Sequence, residues 1–151
     1  MVIYIGADHR GFKLKESIRD FLKNKGYEVV DMGNANYDQS DDYVDFAKEV
    51  AKKVSMDSEK SRGILICGSG VGMDVAANKF KKVRSALALS SDQIYAARQD
   101  DNVNILSLAA SFINEADAQK IVSVFVETPF STEERYQRRI DKIAQIENEL
   151  H

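Results

Sequence analysis

The only cysteine of this chain opens the run Cys67-Gly68-Ser69-Gly70-Val71-Gly72. A thiol, a hydroxyl two residues on and three alternating glycines place an acid–base group beside a turn of accessible backbone N–H groups. Converging amide dipoles of this kind stabilise an oxyanion as its charge develops. The residues that follow predict a helix, whose N-terminal end carries about half a positive charge and favours a thiolate over a thiol. A lone cysteine is otherwise a small buried apolar residue. Its placement between an apolar strand and a glycine-rich helix start favours the chemical role. The glycines do not spell a dinucleotide fingerprint, because Met73 fills the last glycine position and no acidic residue ends the next strand.

Two further groups could act on a ligand. Asp8 and His9 follow the first apolar run, Val2-Ile-Tyr-Ile-Gly6, at the carboxyl end of a strand. That edge is where open parallel sheets bind ligands, although an Asp-His pair also suits an ordinary surface turn. Arg135 and Arg139 are four apart near the C-terminus and so share one helix face. Such arginines are usually solvated and paired with carboxylates such as Glu134 or Asp141. Two on one face also suit a phosphate, which guanidinium groups grip bidentately.

The elements that position these residues follow from periodicity. Strands are expected at 2–6, 27–32, 64–66, 84–89 and 103–108. Helices are expected at 12–25, 43–54, 73–80, about 92–100, 115–127 and from Phe130 onward, the last capped by Ser131 or Thr132. A polar loop fills 33–42. Strands alternating with helices imply a three-layer α/β/α sandwich around a five-stranded parallel sheet, formed by residues 1–151 as one domain. The final helix has no strand after it, and its apolar stripe (Ile140, Ile143, Ile146, Leu150) begins only after a basic first half. It is expected to pack on a partner subunit.

With 151 residues, 44% hydrophobic and 30% charged, the chain has the make-up of an ordinary globular protein. No apolar run approaches the roughly 20 residues of a membrane span. The start enters a strand without a signal-peptide pattern, so a cytoplasmic location is expected. A net charge of −3 and the lack of a basic stripe argue against nucleic-acid binding. One cysteine excludes an intramolecular disulfide, and one Cys with two His argues against a structural zinc site.

Taken together, these motifs resemble the type B ribose-5-phosphate isomerases, grouped with the galactose-6-phosphate isomerase subunits. Matching pieces are Gly6-Ala-Asp-His-Arg-Gly-Phe12 with Lys13-Leu-Lys15, Gly26 to Gly33, Asp42 to Ala47, Gly63 to Lys79, Val83-Arg84, and the tail with Arg135 and Arg139. The resemblance spans the whole chain and is most specific at Cys-Gly-Ser-Gly-Val-Gly followed by Ala-Ala-Asn-Lys. It implies a Rossmann-like homodimer or tetramer with interfacial active sites, a small sugar phosphate as substrate, and no metal or organic cofactor. It further implies that Cys67 is the base that moves a proton between C1 and C2. Ser69 would assist at the sugar oxygens, while the amides of Gly68, Gly70 and Gly72 hold the enediolate. Asp8 would orient sugar hydroxyls, with His9, Arg135 and Arg139 as phosphate ligands.

Two departures bear on the substrate. The family's Arg-x-His-Asn-Asp-x-Asn segment appears as Arg98-Gln-Asp-Asp-Asn-Val-Asn104, so Asp100 stands where the resemblance implies a ring-opening histidine and Asp101 where it implies an asparagine. Ser111 stands where it implies a phosphate-binding arginine. An ionised aspartate takes the anomeric proton but does not donate one to the ring oxygen. Three readings follow, in this order: an isomerase with altered ring opening, an isomerase of another pentose or hexose phosphate, and a non-catalytic sugar-phosphate binder.

Overall fold

Alternation along the strands decides the layering. In Val2–Ala7 (β1), Ile3, Ile5 and Ala7 face one side while Tyr4 faces the other. Ser61–Cys67 (β3) sends Ile64 and Ile66 to the first side and Leu65 and Cys67 to the second. Ile105–Ala109 (β5) does likewise with Leu106 and Leu108 against Ile105. Strands buried on both faces need helices on both faces. Phe12–Asn24 (α1), Ser91–Asp101 (α4) and Glu115–Glu127 (α5) cover the first side through Ile18, Leu22, Ile94, Ile121, Val122 and Phe125. Tyr43–Met56 (α2) and Val71–Ala77 (α3) cover the second through Ala47, Val50, Ala51, Val54, Met73 and Ala77. This computed structural model describes residues 1–150.

Glu28–Asp31 (β2) and Ser85–Leu87 (β4) complete a sheet of order β2-β1-β3-β5-β4, with every pairing parallel. The chain leaves β1 toward one edge, to β2, and crosses back to the other side of β1 as β3. Beyond the carboxyl ends of β1 and β3 the two connections diverge and leave a crevice, the usual ligand site of such sheets.

Two expected helices differ from those observed. The helix expected at 73–80 is Val71–Ala77. Gly70 adopts φ 74° and lets the helix begin directly after it, while the Asn78 amide donates to Asp74 O and Ser85 O and turns the chain into β4. The last helix is Glu134–Leu150 (α6), not one starting at Phe130. Residues 129–131 are instead tied to α4, since Ser131 N–H donates to Gln99 O and the Gln99 amide donates to Pro129 O. Ser131 Oγ accepts from Glu133 N–H two residues on, so it forms a local turn and caps nothing.

No residue of α6 is buried. It rests on its own chain at the β4 edge, where Ile143, Ile146 and Glu147 line a cleft with Arg84, Ser85, Ala86 and Asp101. The Glu147 carboxylate accepts from Lys82 N–H at 3.0 Å. No helix among the described residues is long and apolar enough to cross a membrane.

Candidate active site

A cleft of about 330 Å³ opens at the carboxyl ends of β1 and β3. Asp8, His9, Cys67, Gly68, Ser69 and Gly72 line it, together with Arg10 and Tyr43. Six of the residues singled out in the sequence therefore meet here. Gly70 lies within the same loop, and its conformation is what closes the turn. A Cβ there would sit 2.5 Å from Leu87 Cδ1 and 3.1 Å from the Leu108 carbonyl carbon, so no side chain fits even if its positive φ were tolerated. Gly72 serves differently. The Tyr43 ring occupies the space that a Cβ would need, 2.7 Å away.

Cys67 is 4% exposed and a free thiol. Its Sγ accepts from Gly70 N–H at 3.2 Å, a contact that strengthens as the sulfur gains negative charge. Ser69 is exposed at the loop tip, with its Oγ accepting from Val71 N–H at 3.3 Å. The N–H groups of Gly68 and Ser69 donate to no protein acceptor among the described residues. The loop thus offers the cleft a sulfur, a hydroxyl and two uncommitted amides within three residues.

Asp8 is 6% exposed. Its Oδ1 accepts from Arg10 N–H and Gly11 N–H at 3.0 and 3.1 Å, which fixes the carboxylate and leaves Oδ2 without a protein partner among the described residues. His9 is held by Asp41, whose Oδ1 accepts from the His9 backbone N–H at 2.9 Å and lies 2.8 Å from its Nδ1. The Tyr37 ring meets the imidazole edge-on, 6.4 Å between centroids and 83° between planes.

The loop that supplies Tyr37 and Asp41 is anchored from beneath. Lys15, fully buried on α1, donates to both Asp31 oxygens at 3.0 and 2.9 Å and to Asn34 O at 3.0 Å. Burial alone would raise the Asp31 carboxyl. Hydrogen bonds from Lys15 and Gly33 N–H, the Lys15 charge and Arg19 outweigh it and hold Asp31 below the usual 3.8. On α3, Asp74 shifts the opposite way. Its half-buried carboxyl is pushed up by desolvation, which the Ser85 and Ser107 hydroxyls only partly offset.

The remaining expected residues lie elsewhere. Asp100 and Asp101 end α4, which runs back to the amino-terminal edge of the sheet, opposite the cleft. The Asp101 carbonyl accepts there from Arg84 Nε, just before β4. Arg98 fixes this end of α4. Its fully buried guanidinium donates to Thr128 O, Asn102 Oδ1 and Val103 O, and burial, with repulsion from Arg62 and Arg84, lowers it to about 10. Arg135 and Arg139 start α6, close after the 129–131 segment bound to Gln99. They share one face as expected, at 4.6 and 5.7 Å from the Tyr136 ring centroid, and Arg135 also pairs with Glu133 at 2.9 Å. None of these four lines the cleft of its own chain.

Arg10, Tyr37, Asp41 and Tyr43 carry no site role in the sequence reading. Arg10 and Tyr43 fall inside quoted motifs, but only their packing against the Gly68 and Gly72 positions reveals them as cleft walls. Asp41 sits in a polar loop that reads as solvated surface, and its distance from His9 in sequence hides the pairing.

The geometry has close counterparts. The ribose/galactose isomerase family model matches residues 3–143. A probable ribose-5-phosphate isomerase B of Mycoplasma genitalium is 48% identical over 97% of this chain and 96% of its own length. The ribose-5-phosphate isomerase B of Mycobacterium tuberculosis is 41% identical over 97% and 90%. The solved M. genitalium enzyme with bound ribulose-5-phosphate superposes with a TM-score of 0.94 at 47% identity, covering 98% of this chain and 97% of that one. The Clostridium thermocellum ribose-5-phosphate isomerase B also superposes at 0.94, with 38% identity and full coverage of both chains. The match spans the cleft, the glycine loop and α6 alike, and the chain belongs to the ribose/galactose isomerase family of sugar-phosphate isomerases.

Proposed function

We propose that this protein interconverts ribose 5-phosphate and ribulose 5-phosphate, with all 151 residues acting as one isomerase domain and Cys67 as the base. The observation that carries the reading is the single thiol at the mouth of the β1/β3 crevice, beside a carboxylate, a hydroxyl and free amides. On the open-chain aldose the Cys67 thiolate takes the C2 proton. The C2–H electron pair becomes the C1=C2 bond of a cis-enediolate, and the carbonyl π pair moves onto O1. The N–H groups of Gly68 and the neighbouring loop amides stabilise that oxygen. Ser69 carries the proton from O2 to O1, and the Cys67 thiol returns its proton to C1 as the C2 carbonyl forms. Asp8 Oδ2 orients sugar hydroxyls. His9 binds the phosphate. These steps need no metal or organic cofactor.

Arg135, Arg139, Asp100 and Asp101 reach this cleft, in our reading, from a second subunit of a homodimer. Their placement at the opposite sheet edge and the exposed stripe of α6, with Ile146 55% exposed, support it. Asp100 takes the anomeric proton during ring opening. The replacement of a histidine by Asp100 and of an arginine by Ser111 favours a second reading, in which the substrate is a different pentose or hexose phosphate. Incubating the protein with a panel of pentose and hexose phosphates in deuterated water separates these. Deuterium entering C2 of ribose 5-phosphate, and its loss in Cys67→Ala, is the expected result. Exchange confined to another sugar establishes the second reading, and binding without exchange on any sugar removes the catalytic one.

A further inference from the structure

We infer that Asp41 is a positioning residue that commits the Nδ1 proton of His9 and presents its Nε2 to the substrate, an inference that rests on the proposed phosphate contact of His9. The two contacts that define it come from a single oxygen. Asp41 Oδ1 accepts from the His9 backbone N–H at 2.9 Å and from the ring nitrogen at 2.8 Å, so backbone and imidazole are clamped to one point. A carboxylate only accepts, so Nδ1 must carry the hydrogen. Nε2 has no protein partner among the described residues, and His9 lines the cleft. The neutral ring then offers Nε2 as an acceptor. The doubly protonated ring offers an N–H to a phosphate oxygen while Asp41 balances its charge.

The carboxylate is itself positioned. Its side chain is only 7% exposed, and the Asn34 amide donates to Oδ2 at 3.2 Å. Asn34 is held in turn through its carbonyl by the buried Lys15 Nζ. Tyr37 closes the other flank, edge-on to His9 and to Phe12, so the ring has little room to rotate. Loop 33–42 is thus the wall that orients His9, joined to the α1 anchor by a chain of polar contacts.

Long-range proton–nitrogen NMR on the unaltered protein tests the geometry directly, since there are only two histidines and His9→Gln assigns them. A neutral His9 with its hydrogen on Nδ1 is expected, and a hydrogen on Nε2 instead overturns the inference. Kinetics on ribose 5-phosphate then test the consequence. Asp41→Ala, which removes the acceptor, should raise KM about tenfold with kcat within about twofold, and should abolish the tautomer preference. If His9→Gln leaves KM unchanged, the phosphate contact itself fails. If His9→Gln raises KM while Asp41→Ala does not, the contact stands and the positioning role of Asp41 falls.

Discussion

The two ends of the sheet hold their candidate site residues in opposite ways. At the carboxyl ends of β1 and β3, Asp8 and Cys67 are buried and His9 is half-buried, and each is held by a backbone amide or a carboxylate. At the amino-terminal edge, the Asp100 carboxylate accepts from no protein donor among the described residues, and Arg135 and Arg139 lie along an exposed helix. The first region is organised before any ligand arrives, whereas the arginines of the second stand in solvent. Preorganised groups suit the step in which charge develops. Exposed cations suit a doubly charged group that must enter and leave.

The sharpest way to break this contrast is complementation. If the proposed homodimer forms, neither the Cys67→Ala nor the Arg139→Ala protein should turn over well, the first losing at least about a hundredfold in kcat for want of its base. Mixing the two after unfolding and refolding together should restore about half the native activity per hybrid dimer, because one of its two sites is then intact. No recovery would show that the two residues serve the same chain's cleft. A smaller effect is expected at Asp100. Asp100→His supplies a group that donates as well as accepts protons near neutral pH, and should raise kcat on cyclic ribose 5-phosphate by up to about tenfold. Its effect should shrink on an acyclic substrate. A fall in native activity would mark the aspartate as adapted to another sugar. The smallest effect on turnover is expected at Asp31, which lies behind the preorganised region. Its carboxyl is held low, so its stabilising contribution is complete above about pH 4 and disappears as pH falls below that. Asp31→Asn should lower Tm by several degrees at neutral pH, since the buried Lys15 loses its counter-charge, and should flatten the acid limb of the Tm–pH curve. An unaltered acid limb would move the acid-sensitive group elsewhere.

The cleft was largely legible in the sequence because its chemistry is local. Cys67, Ser69 and the glycines lie within six residues, and Asp8 and His9 directly follow a strand whose apolar run is unmistakable. Parallel topology then brings the two strand ends together. What the sequence hides is anything made by contacts between distant residues. Asp41 gains its role only through an approach to a residue 32 positions away, and Tyr43 only through stacking on Gly72. The start of α6 differs from the expected one for the same reason. Residues 130–133 have no local objection to a helix, yet Gln99 holds the segment in another path, its carbonyl accepting from Ser131 N–H and its amide donating to Pro129 O. The distance of Asp100 and Asp101 from the cleft was hidden until α4 had a direction.

The Asn78 turn into β4 has a consequence for solubility. An open sheet ends in unpaired backbone groups that invite a strand from another molecule. One edge here, β2, carries Glu28 and Asp31 and so discourages such pairing by charge. The other, β4, is a three-residue strand without a charged residue, and its outward groups are taken by side chains instead: Asn78 accepts from Ser85 N–H and donates to Ser85 O, and the Gln93 amide donates to Leu87 O. The residue that turns the chain out of α3 therefore also acts as a doorstop, keeping the sheet from growing into a fibre.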